Sequence, residues 1–441
     1  MEKHPIRSKI ISFRKSNSEG ISILIKICKK SMQQETKKAV AWSLFDFGNS
    51  AYSLLIVTFV FPIFFKTIIA QNLPIGDLYW GIISSLSVVL AGILAPIIGA
   101  KADADGKRKK RFVFWTLISI ISTGLLYFTG NGTILEASII FMLANTSFTL
   151  AVFLNDSLLN QIASEKKRGK LSGLGYGLGY LGGLIAMLIL KPLYENSSGI
   201  SELTTRLTFP ATALYFLIFS IPAFILLKDT EVKSNDSWGV ATKKAVKQTI
   251  NTIKNIKKQK NILFFLIGFF LLNDALVTIF SFISIYATNT LNLSIKTITQ
   301  SYIIIQVIAI PSTIILGILS DKINPKKIIL SSILAWLIVI FTLVFSTTKT
   351  GFLTASIFAG ISIGSSQAIA RSWFSNLIPK EQSSEFFGFN ACCSKVAAIL
   401  GPAVFGIISS TTGNQRIALA SLSIWFIISA IFFIKVKDKV G

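Results

Sequence analysis

The feature that most constrains this chain of 441 residues is a series of long apolar runs separated by short polar or basic stretches. A membrane-spanning helix needs roughly 20 mainly apolar residues, because the hydrocarbon core is about 30 Å thick and each residue rises about 1.5 Å. Twelve runs meet that length, at 41–70, 79–100, 112–129, 134–159, 171–190, 208–227, 262–288, 297–319, 328–346, 352–377, 387–409 and 417–434. A helix in a soluble core alternates polar and apolar faces, and these runs do not. Charged residues make up 15% of the chain, against about 25% in a typical soluble protein. Many runs contain Gly, Pro or Ser, which membrane helices tolerate when neighbours satisfy the freed backbone groups. The expected fold class is an all-α membrane protein of about twelve transmembrane helices in two pseudo-symmetric six-helix bundles.

A net charge of +24 invites a nucleic-acid reading. The distribution of the charge argues against it. An even number of spans puts both termini on one side, and that side holds 36 of the 44 Lys and Arg, against 6 in the opposite loops. This is the positive-inside asymmetry, and it places both termini in the cytoplasm; the expected location is a bacterial plasma membrane. The expected organisation is a basic tail at 1–40, a six-helix bundle at 41–227, a cytoplasmic linker at 228–260, a second bundle at 261–435 and a short tail at 436–441. The three cysteines, Cys28, Cys392 and Cys393, give neither a disulfide framework nor metal-ligand spacing, and the sole histidine, His4, lies in the tail. No metal site and no cofactor are expected.

The two halves repeat each other. Gly99-Ala-Lys-Ala-Asp103-Ala-Asp-Gly106-Lys-Arg108 follows span two, and Gly317-Ile-Leu-Ser-Asp321-Lys322, with Lys326 beyond, follows span eight. Glu165 and Glu381 sit in matching exits from spans four and ten. The two pairs are 218 and 216 residues apart. Six spans per repeat keep the halves parallel, an arrangement with a solute site near the midplane between them. The Gly99–Lys110 loop resembles the signature of the major facilitator superfamily, with Ala104 departing from the usual basic residue and Asn324 from the usual glycine. Trp42-Ser-Leu-Phe-Asp46-Phe-Gly-Asn49-Ser50-Ala-Tyr52, the Ser172–Gly183 glycine run, Asn273-Asp274, Gln367-Ala-Ile-Ala-Arg371-Ser372 and Glu385-Phe-Phe-Gly388 resemble the vacuole-effluxer-like family within it. That resemblance implies solute transport, and amino acids as the solute less firmly; efflux is the direction its best-known relatives suggest.

Polar residues inside spans mark candidate sites, because lipid cannot solvate them. Asp46, Asn49 and Ser50 share a face of span one. Asp274, beside Asn273, lies more than three turns into span seven. Asn145 and Asp156 share a face of span four. Gln367 and Arg371 share a face of span ten, where a guanidinium could hold a carboxylate through a planar fork. Asp46, Asn49, Ser50, Asn145, Asn273, Asp274, Gln367 and Arg371 are the expected substrate and coupling residues. Each also has a plainer reading as a helix-end charge or an interhelical anchor. Asp103, Gly106, Arg108, Asp156, Asp321, Lys322, Lys326, Glu381 and Glu385 are expected to govern gating on the cytoplasmic side. Gly173, Gly175, Gly177, Gly179 and Gly183 read as a surface for close helix approach.

These features point to a secondary active transporter, not an enzyme. It would move a small polar solute, with amino acids among the candidates, by alternating access. Proton coupling is the preferred drive, since a buried carboxylate can load and release a proton. A flippase for lipid-like molecules on the same fold and an uncoupled facilitator are the alternatives. The expected partners are a small-molecule substrate, membrane lipid and protons, without nucleic acid, and the expected state is monomeric.

Overall fold

The computed structural model describes residues 36–162, 165–195, 202–229, 259–320, 323–377 and 400–437, and every regular element among them is a helix. In chain order these are α1 (Thr36–Ile69), α2 (Ile75–Asp105), α3 (Arg108–Leu125), α4 (Ile134–Ile162), α5 (Glu165–Tyr194) and α6 (Glu202–Leu226). The second half follows with α7 (Lys260–Asn289), α8 (Ile295–Ser320), α9 (Pro325–Phe345), α10 (Lys349–Leu377), α11 (Leu400–Thr412) and α12 (Gln415–Lys435). Among the described residues nine helices are long and apolar enough to cross a membrane. With α8, α10 and α11 they make the twelve expected. Positions 387–399 of the eleventh expected span lie outside the described residues, as do the tail to residue 35 and linker positions 230–258.

Some helices start earlier than their apolar runs. The sixth run begins at residue 208, but α6 begins at Glu202. Glu202 and Arg206 pair one turn apart in that added segment, which carries the helix past its apolar stretch. The outward faces are apolar, with Phe341 65% and Phe345 70% exposed. That is the surface a lipid solvent requires.

Glycines on α5 set its seam with α1. A Cβ at Gly182 would lie 2.1 Å from the Phe47 carbonyl oxygen, and one at Gly175 would lie 2.5 Å from an Asp46 carboxylate oxygen. Gly179 and Gly183 also face α1, whereas a Cβ at Gly177 would meet nothing. The halves meet in the same way where α2 crosses α11. There a Cβ at Gly81 would lie 2.3 Å from the Pro402 carbonyl oxygen.

α1 is wound in π-helix at Tyr52–Phe59 and again at Phe65–Ile69. Pro62 lies between these segments and has no N–H to offer the Thr58 carbonyl four residues back. That carbonyl instead accepts the Tyr302 hydroxyl from α8, at 3.0 Å. A proline in the first half thereby supplies an acceptor to the second.

Candidate functional site

A cavity of about 200 Å³ lies where the halves meet. Ser50, Ser53, Leu54 and Thr58 of α1 and Gly179 and Tyr180 of α5 form its wall from the first half. The second half supplies more of the lining, from α7 (Ile279, Phe280, Ile283), α8 (Ser301, Tyr302, Ile305, Gln306) and α9 and α10. Trp336 of α9 and Phe352 of α10 add aromatic surface.

On the face opposite the termini, the halves are joined by a buried polar cluster. Lys66 near the end of α1 pairs with Asp77 in the first turn of α2 at 2.8 Å, with side chains 4% and 3% exposed. Both belong to the first half. Two donors from the second half, Ser409 of α11 and Gln415 of α12, reach the other Asp77 oxygen, Gln415 at 2.7 Å. Lys66 also donates to the Leu73 carbonyl at 2.8 Å. Nearby, Asn289 of α7 donates to the Asn72 side chain at 3.0 Å. Deeper in, Trp80 of α2 donates to the Ser281 carbonyl of α7 at 2.8 Å. Cavity and cluster together describe a site closed on this face.

The residues expected from sequence are placed variously. Ser50 lines the cavity, and its hydroxyl bonds to the Asp46 carbonyl at 2.9 Å. Asp46 sits one turn nearer the termini and is not part of the lining. Its carboxylate accepts from Asn49 at 3.3 Å and from Asn155 of α4 at 3.5 Å. Asn145 donates to Ser87 of α2 at 2.7 Å, inside the first bundle. Asp274 is fully buried within the second bundle. One of its oxygens accepts the Gly401 amide at 2.9 Å and the other the Trp425 indole at 2.8 Å. Neither Asp274 nor its neighbour Asn273 lines the cavity, which α7 reaches through Ile279, Phe280 and Ile283. Asp46, Asn145 and Asp274 thus have partners within their own bundles. Gln367 and Arg371 lie on α10, but their side chains are outside the described residues.

On the terminal face, Gly106 ends α2 with φ +67°, a left-handed conformation suited to glycine. Arg111 grips Asp105 through both guanidinium nitrogens, at 2.6 and 2.7 Å, which holds the Asp105 carboxyl down at about 2. Arg108 donates to the Ser157 carbonyl of α4 at 3.2 Å, and Asp156 beside it is exposed. Asp229, just past α6, accepts the Lys109 amide at 2.6 Å and so caps the start of α3. Asn324 accepts the Lys326 amide at 2.9 Å as the N-cap of α9. That role explains an asparagine where the other repeat has glycine. The Lys326 ammonium reaches the Ile434 and Val436 carbonyls at the end of α12, at 2.7 and 2.9 Å. The side chain of Asp103 and residues Asp321, Lys322, Glu381 and Glu385 lie outside the described residues.

Sequence reasoning passed over Lys66, Asp77, Ser409, Gln415, Gln306 and Trp336. Lys66 counted only toward the basic asymmetry, and Asp77 lies in the short stretch between the first two apolar runs; that adjacency was the available signal. Gln306 and Trp336 are neutral, so they leave no mark in a charge pattern.

A family model described as "Vacuole effluxer Atg22 like" matches residues 79–441. The MFS-type transporter YxiO of Bacillus subtilis is 28% identical over 423 residues, spanning 92% of this chain and 96% of that protein. Autophagy-related protein 22 of Kluyveromyces lactis is 25% identical over 378 residues, spanning 78% and 76%. Among solved structures, a D-xylose–proton symporter superposes with a TM-score of 0.71 at 15% identity, covering 92% of this chain and 98% of that one. A bacterial homolog of the human lysosomal transporter Spinster, inward-facing and unoccupied, gives 0.66 at 12% identity, covering 93% and 99%. At such identities the structural likeness speaks for the fold.

Proposed function

The chain belongs to the vacuole effluxer Atg22-like family and is a membrane transporter of the major facilitator type, and from that premise we propose that it moves a small solute by alternating access through the cavity between its halves. The observation that carries this reading is the cavity lying beneath a face closed by contacts between the halves. For a solute to pass, those contacts must part while others form on the terminal face. The basic asymmetry supports a cytoplasmic position for that terminal face. Asp46 and Asp274 are the embedded carboxylates that support proton coupling.

Two cysteines test the mechanism. Asn72 and Asn289 touch through their amides across the halves. With the three native cysteines replaced, Asn72→Cys and Asn289→Cys are bridged by a short bis-methanethiosulfonate reagent. Proteoliposomes are screened for uptake of amino acids, sugars and nucleosides, with and without a pH gradient. Bridging should stop any uptake found, and reduction should restore it. Uptake that continues with the halves bridged would rule out alternating access through this face.

A further inference from the structure

The bonds that join the halves differ in what each leaves behind when it breaks. On the closed face, Asp77 keeps Lys66 once Ser409 and Gln415 have left. The bond in the cavity wall is different. There the Tyr302 hydroxyl of α8 donates to the Thr58 carbonyl of α1 at 3.0 Å. Pro62, four residues on, carries no N–H with which α-helical winding could replace it. Tyr302 and Thr58 both line the cavity.

Thr58 stands at a break in α1. The π-wound segment Tyr52–Phe59 ends there, and the Phe59 backbone departs from helical values at φ −121° and ψ −74°. Insertions of π-helix into α-helices recur at functional sites. The Phe59 ring packs on the Tyr302 ring at 4.9 Å and on the Tyr194 ring of α5 at 5.3 Å. Lys66 of the closed face lies about two turns further along α1. Tyr302 therefore holds α1 between the cavity and the closed face.

Within its own half, Tyr302 has a second neighbour. Ser284 of α7 lies beside the Tyr302 hydroxyl. The Ser284 hydroxyl is fully buried and has no hydrogen-bond partner among the described residues, which is unfavourable. A tyrosine hydroxyl has one hydrogen to donate, so it serves Thr58 or Ser284 and not both. Serving Thr58 ties the halves together; serving Ser284 keeps the bond inside the second half. Deepening the transport reading, on which this rests, we propose that Tyr302 is a two-position switch, donating to the Thr58 carbonyl while the face opposite the termini is closed and to the Ser284 hydroxyl when it opens. The Thr58 carbonyl, left behind, then meets the water that enters the opened cavity. Parting the halves at this point exchanges one bond for another, which keeps the two states close in free energy, as a protein that must visit both requires.

Double electron–electron resonance on the full chain in nanodiscs tests this. The three native cysteines are replaced, and spin labels are placed on Leu73→Cys and Lys296→Cys, exposed positions of the two halves on the closed face. Alternating access gives a short distance with that face closed and a longer one with it open. Tyr302→Phe keeps the ring and removes the hydroxyl, so it should raise the open-to-closed ratio about fivefold. Ser284→Ala removes the second acceptor, so it should lower the ratio by a similar factor, and it should do nothing in the Tyr302→Phe background. Both variants should retain the same two distances, which separates a shifted balance from a damaged fold. A ratio unmoved by Tyr302→Phe, a shift in the same direction for both single variants, or a full Ser284→Ala effect in the Tyr302→Phe background would overturn the switch and leave alternating access standing. One unvarying distance in every protein would count against alternating access itself and take the switch with it.

Discussion

Removing one member of a buried ion pair costs more than never having had the pair, because the survivor is left charged and desolvated. Lys66 and Asp77 meet that description, with both side chains almost wholly enclosed. Lys66→Met should therefore destabilise the protein by about 3–5 kcal/mol, read as a fall in the thermal unfolding midpoint in detergent. Lys66→Met with Asp77→Leu should recover much of the loss, since the double change leaves no orphan charge. Equal destabilisation by the single and double variants would show that the charges are not coupled. These residues also mark a limit of what a sequence displays. Asp46 and Asp274 stood out because they interrupt apolar runs. Yet Asp274 took its partners from Gly401 and Trp425, more than 120 residues away in sequence. An embedded acid announces a need for donors; only packing decides which donors answer.

At the scale of elements, the apolar runs told more. Twelve runs became twelve helices because a helix is the only open-ended structure that satisfies its own backbone in lipid. The glycine spacing on α5 foretold a close seam, and α1 lies along it. Sequence did not distinguish glycines on the seam from glycines beside it, because that depends on the rotation of one helix against another. The contrast is measurable. Gly182→Ala would press a methyl group against the Phe47 carbonyl from 2.1 Å, so it should force α1 and α5 apart and sharply lower the yield of monodisperse protein. Gly177→Ala meets open space and should be neutral or stabilising by up to about 1 kcal/mol. Equal tolerance at both positions would put the seam elsewhere. The π-helical winding of α1 had no sequence signal beyond Pro62.

For the whole molecule, the repeat of the Gly99–Lys110 signature and the basic asymmetry made the two-bundle plan legible before any coordinate. The cavity was not legible, because it belongs to the fit between bundles. Single cysteines at Glu195 and Lys228 check the topology in intact cells. They sit at opposite ends of the α5–α6 hairpin region and should react with a membrane-impermeant thiol reagent from opposite sides, with Lys228 inside. Labelling from the same side would remove one crossing and with it the parallel halves. The closed face carries one more consequence. Lys66 and Asp77 belong to the same half, and the groups they meet across the divide, Ser409 and Gln415, are neutral. When that face opens, ammonium and carboxylate travel together as a net-zero unit. Moving one elementary charge through a membrane voltage is worth about 2.3 kcal/mol per 100 mV, and this pair contributes none. An opening of that face by alternating access would therefore draw no voltage dependence from this pair.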